Sequence, residues 1–157
     1  MNWTPLLATL LGAAIATGSA LLVEFRKDRR EAIVEQRRSK RELYGAYLGA
    51  LSQARSELQL IFLDQGMTEA DRRTAARRSF AKCYETRYQL EVFAPNAVVQ
   101  PALDYFRAVR RAREAAIHGV APGEPEHDRV FQEAMDALTA VRAAMRLDMG
   151  TDRLPSA

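Results

Sequence analysis

A chain of 157 residues has room for one domain of ordinary size and little more. Its 27 alanines against 8 glycines and 6 prolines favour helix and argue against a disordered chain, a collagen-like repeat or a β-sandwich. A net charge of +3 is too balanced to imply nucleic-acid binding by bulk charge, and one cysteine with two histidines excludes an internal disulfide, a multi-cysteine zinc site and a three-histidine site.

Residues 5–23 form an uncharged run of 19, PLLATLLGAAIATGSALLV. As a helix this run reaches roughly 29 Å, close to the hydrocarbon thickness of a bilayer. Thr4 stands where an N-cap belongs, Pro5 at the first helical position and Trp3 at the level of an interfacial aromatic. No Lys or Arg precedes the run, while Arg26, Lys27, Arg29 and Arg30 follow it. The positive-inside rule then predicts residues 1–23 as a membrane anchor with the N-terminus outside and the rest in the cytoplasm. A cleaved signal peptide would want a basic start, and a buried bundle helix would want a polar face; the run has neither. Ala8, Gly12, Ala16 and Ala20 recur every four residues, a small-residue seam of the kind that pairs membrane helices into a homo-oligomer.

Residues 24–42 read as a basic juxtamembrane helix. Within 26–41 there are eight basic and three acidic residues, so the rest of the protein is slightly acidic. No Gly or Pro interrupts the run, and the membrane helix is predicted to continue through it. Arg26, Lys27, Arg29 and Arg30 are expected to meet anionic lipid headgroups, each contributing about 1 kcal/mol near the surface. Arg37 to Arg41 lie further along and read as a solvated helix.

Beyond the neck, residues 43–150 show regular apolar periodicity. Tyr44, Tyr47, Leu51, Ala54, Leu58 and Ile61 alternate in steps of three and four, with Leu48 and Phe62 widening the stripe. Asp64-Gln65-Gly66 ends that helix, and Thr68 caps a second with the stripe Ala76, Phe80, Cys83, Arg87, Leu90 and Ala94. Pro95 stops it. Asn96 is the predicted N-cap of a third helix carrying Val99, Leu103, Phe106, Val109, Ala116 and Ile117. Pro101 should kink that helix or mark its start. His118-Gly119 closes it. After the loop 120–128, the last stripe runs Phe131, Met135, Leu138, Val141 and Met145 to Gly150, and residues 151–157 read as a frayed tail. Short connections between helices of this length predict an up-down-up-down antiparallel four-helix bundle. The fold class is therefore all-α, with the membrane helix prolonged into the bundle.

The segments RELYGAYLGAL (41–51), RYQLEVFAPNAVVQPA (87–102) and FQEAMDALTAVRAAMRLDMG (131–150) resemble a broad group of small bacterial proteins common in actinobacteria. The resemblance spans most of residues 37–150 and rests on Tyr44, Tyr47, the turn at 90–95 and the terminal 146–150. It implies an optional membrane segment joined to a cytosolic helical bundle, with no established activity. Pro101 departs from the continuous helix usual in that group.

Chemistry is sparse. Glu124 to His127 has the spacing of a di-iron half-motif but lies in a Pro-broken loop, and no second motif exists. His127 reads as a solvated first-turn residue and His118 as a helix-end residue. Cys83 lies on an apolar stripe and reads as a small core hydrophobe. No phosphate loop, serine elbow or zinc signature is present. The tyrosines at 44, 47, 84, 88 and 105 read as core-edge residues with wet hydroxyls. Arg72, Arg73, Arg77, Arg78, Arg110, Arg111 and Arg113 could bind phosphates, yet neighbouring acids make an ion-paired face the better reading. The expectation is a non-enzymatic membrane-anchored bundle without catalytic, cofactor or metal residues. It would tether an unknown cytosolic protein, contact anionic lipid, bind no nucleic acid and form a homo-oligomer. The alternative is a sensor or effector that transmits a signal along the continuous N-terminal helix.

Overall fold

Thr68 shows how closely local chemistry is followed: its hydroxyl accepts the Asp71 amide at 3.2 Å and starts a helix where the sequence predicts one. The computed structural model describes the backbone of residues 4–151 and the side chains of residues 27 and 29–151. Among the described residues there are four helices and no strand: α1 (Thr4–Leu63), α2 (Glu69–Phe93), α3 (Asn96–Ile117) and α4 (Pro125–Met149). The chain divides into two compact units, residues 1–39 and 40–157.

The second unit is a helical bundle whose directions follow from which residues meet. Tyr44 near the start of its first helix reaches Asp148 at the end of α4, and Phe62 reaches Phe131 near the start of α4. Those two helices are antiparallel. Arg72 at the start of α2 bonds Ile117 at the end of α3, while Phe80 and Tyr84 meet Phe106, so α2 and α3 are antiparallel too. Tyr47 donates to the Ala102 carbonyl at 2.5 Å and ties α1 to α3.

The first stripe is buried as predicted, from Tyr44 and Tyr47 through Leu51, Ala54 and Leu58 to Ile61 and Phe62. On α2 the inward residues are Ala76, Phe80, Cys83, Thr86 and Leu90. α3 is the most buried helix, and its Ala102, Ala108, Ala112, Ala115 and Ala116 permit close packing. Leu51, Leu58, Phe80, Leu90 and Leu138 are fully buried, each contributing about 1.5–3 kcal/mol of transfer free energy.

Four local expectations are revised. Asn96 is the first residue of α3, and Pro95 occupies the N-cap without a side-chain bond. Proline forces Ala94 into extended backbone, so α2 must stop one residue earlier, and the Pro95 carbonyl then accepts the Val98 and Val99 amides. Pro101 neither starts nor ends α3 but lies inside it. Its missing N–H concerns the carbonyl of exposed Ala97, which water can reach. On α4 the inward stripe is Val130, Ala134, Leu138, Val141 and Met145: the last three are as expected, and Val130 and Ala134 replace Phe131 and Met135 in the first turns because packing selects that face. Phe131 is half-buried and Met135 faces outward. Tyr47 and Tyr105 are fully buried, not wet-edged, because they lie on the inward faces of α1 and α3.

Candidate functional site

Two of the grooves on the bundle combine apolar and charged lining. The larger, about 550 Å³, lies where α1 ends and the α3–α4 loop passes, lined by Glu57, Leu60, Phe62, Leu63, Pro122 and His127 among others. Leu60 and Leu63 are about two-thirds exposed, at 67% and 68%. The site's inner wall is aromatic. Phe62 lies edge-on to His127 at 5.0 Å and to Phe131 at 5.6 Å, and the His127 and Phe131 rings are 4.7 Å apart. His127 Nδ1 lies 3.0 Å from the Asp128 carboxylate. This histidine is packed against two rings and is not a freely solvated residue, a placement that depends on Phe62, 65 positions away in sequence.

The smaller groove, about 220 Å³, runs between α1 and α4 and is bordered by Arg41, Tyr44, Leu48, Arg142, Met145 and Arg146 among others. At its edge Asp148 accepts hydrogen bonds from Tyr44 at 2.6 Å and from Lys40 at 2.9 Å. Burial works against ionisation of Asp148, but the Lys40 and Tyr44 hydrogen bonds outweigh it and hold the carboxyl below its ordinary value. Burial, then the Asp148 bond and charge, push the Tyr44 phenol well above its ordinary value.

Between α2 and α3 two arginines lie on aromatic faces. Arg113 donates to the Tyr84 hydroxyl at 3.2 Å, pairs with Glu114 and covers the Phe80 ring at 4.9 Å. Arg87 lies 4.5 Å from the Tyr88 centroid and 4.9 Å from that of Phe106. Arg72 donates to the Met67 and Ile117 carbonyls, satisfying a helix end. Arg73 pairs with Glu69 and Arg111 with Glu133. Arg72, Arg87 and Arg113 thus join α2 to α3 and Arg111 joins α3 to α4, whereas the Arg73 pair lies within α2.

Of the residues expected at a membrane surface, Lys27, Arg29 and Arg30 are exposed, with Lys27 3.9 Å from Glu31. Trp3 and the side chains of Arg26, Ala8, Gly12, Ala16 and Ala20 lie outside the described residues. Among the described residues no helix is long and apolar enough to cross a membrane, and residues 5–23 are not among those whose side chains are described. No cluster of three or more His, Cys, Asp or Glu able to hold a metal occurs among the described residues. Cys83 is buried with its sulfur 3.6 Å from the Ala50 carbonyl, and burial pushes its thiol up to about 11. It is poorly placed for nucleophilic chemistry.

No family model, no curated protein and no solved structure matches this chain.

Proposed function

We propose that the chain is a single-pass membrane protein that holds a cytosolic protein at the inner face of the membrane without catalysing a reaction. The observation that carries this reading is the open apolar groove beneath Leu60 and Leu63, on a chain that begins with an uncharged run at 5–23 followed by dense positive charge. In this reading residues 1–23 are the anchor, the N-terminus lies outside, and Arg26, Lys27, Arg29 and Arg30 meet anionic headgroups. Ala8, Gly12, Ala16 and Ala20 pair anchors into a homo-oligomer. The resemblance to small actinobacterial proteins with an anchor and a bundle agrees with this and adds no activity.

Membrane fractionation with an alkaline carbonate wash, then protease protection on spheroplasts, tests the placement. Retention in the washed pellet with the C-terminal unit protected until lysis is expected; release as a shortened extracellular species would overturn it. For the tether, a Leu60→Asp/Leu63→Asp variant should lose a co-purifying partner that the wild type retains. Equal recovery with an anchor-only control would refute tethering through the groove.

A second reading is favoured by one observation. α1 is an unbroken helix of 60 residues that belongs to both units. Such a helix suits transmission of a signal. A Gly-Ser insertion at Ser39 that abolishes function while localisation survives would favour transmission over tethering.

A further inference from the structure

The α1–α4 groove combines four features that no packing requirement explains together. Its floor is apolar, formed by Leu48, Met145, Met149 and the ring of Tyr44. Its volume of about 220 Å³ falls below the ~300 Å³ where pockets for whole drug-sized ligands begin, so it suits part of a ligand. Arg41 and Arg142 stand exposed at its border, and neither makes a salt bridge among the described residues. Arg146 lines the groove as well, and the nearby acid, Asp148, is already held by Lys40 at 2.8 Å and by Tyr44.

Gly45 is the fourth feature. It lies in the interior of a helix, where glycine is unfavourable by up to about 1 kcal/mol relative to alanine. A Cβ there would meet nothing within 4 Å, so no neighbour in the bundle demands a glycine. Its absence of side chain instead opens the groove wall and lets a bound chain lie against the α1 backbone.

We infer that this groove takes part of one acyl chain of an acidic phospholipid, with the phosphate held between Arg41 and Arg142. An acyl chain carries no polar atoms and suits an apolar floor. A peptide laid there would bring amides and carbonyls that the floor cannot satisfy. An anionic headgroup complements the two guanidiniums. The inference relies on the membrane reading above only for the source of the lipid, and binding itself is independent of orientation or partner.

The test uses the full chain in neutral detergent, mixed with phosphatidylglycerol or phosphatidylcholine, with retained lipid read by native mass spectrometry. Wild type should retain phosphatidylglycerol in preference to phosphatidylcholine. Arg41→Gln/Arg142→Gln should weaken that retention at least about tenfold. Gly45→Leu should also abolish it by filling the groove, while Gly49→Leu, on the same exposed helix but outside the groove, should not. A chain with Arg26, Lys27, Arg29 and Arg30 all changed to Gln should still bind, which separates the groove from general headgroup attraction. Thermal melting of each variant confirms folding. Equal retention of both lipids, or loss only in the neck variant, would overturn the inference. Displacement by millimolar inorganic phosphate would reduce the site to a simple anion site, and displacement by an acidic amphipathic peptide at lower concentration than lipid would assign it to a protein. Binding that persists when the carbonate wash releases the chain would leave the groove standing and the anchor refuted.

Discussion

The Tyr44 hydroxyl donates to the Asp148 carboxylate at 2.6 Å across 104 residues of chain. With Lys40 on the same carboxylate at 2.9 Å, this contact joins the first helix of the bundle to the last turn of α4. Asp148 is 17% exposed and Lys40 24%, so the cluster is only partly screened by solvent.

Replacing Asp148 with Ala should lower stability by about 1.5–3 kcal/mol, the range for a hydrogen bond to a charged group, read as a urea midpoint shift. The pH dependence has a definite sign. Because the folded carboxyl titrates below its ordinary value of 3.8, its stabilisation is complete above that value. It is lost as pH falls through the folded value. Wild type should therefore progressively lose its advantage over Asp148→Asn as the pH falls below about 4.

Tyr47 and Tyr105 are both fully buried, yet their hydroxyls differ. The Tyr47 hydroxyl donates to the Ala102 carbonyl, whereas the Tyr105 hydroxyl meets hydrogen-bond geometry with no atom among the described residues. Burial pushes the Tyr105 phenol up, and Arg55, Arg142 and the neighbouring Ser52 hydroxyl oppose this without reversing it. Tyr47→Phe should cost about 1 kcal/mol, while Tyr105→Phe should be neutral or stabilise by up to about 1 kcal/mol. A loss on Tyr105→Phe equal to that on Tyr47→Phe would show that Oη105 is satisfied.

Gly119 has φ +75°, and a Cβ there would meet Arg72 Nη2 at 2.7 Å. Gly119→Ala should destabilise by about 1–3 kcal/mol through left-handed strain and displacement of Arg72. Arg72→Ala/Gly119→Ala should lose less than the sum of the single changes. Strict additivity in that cycle would remove Arg72 from the explanation.

Cys83 should resist a bulky disulfide reagent at pH 8 in the native state and react fully in urea. Its thiol is buried and pushed up to about 11 by burial first, with the Glu57 charge adding to it. Native-state labelling faster than global unfolding would reveal local opening of α2 from α1.

Helix content, the first apolar stripe and the Thr68 cap follow from sequence alone, because periodicity and capping are set within one or two turns of chain. Gly119 and Gly150 as closing residues are local in the same sense, with positive φ at both. On α4 the inward positions Leu138, Val141 and Met145 follow from periodicity, whereas Phe131 and Met135 are as apolar as the residues beside them, and only packing against α1 and α3 selects Val130 and Ala134. Arg72, Arg87 and Arg113 illustrate the same boundary. Along the chain Arg72 and Arg113 read as an ion-paired face and Arg87 as part of an apolar stripe, whereas the Ile117 carbonyl, the Phe106 ring and the Phe80 ring that they meet come from other helices. The Arg41–Arg142 groove and the Phe62–His127 wall likewise join residues about 100 and 65 positions apart. Sequence determines which helices form and which side of each is apolar, because those are nearest-neighbour properties. Which polar groups meet, which tyrosine hydroxyl is left alone and where a groove stays open are decided by long-range packing of four faces at once, and that belongs to the tertiary structure.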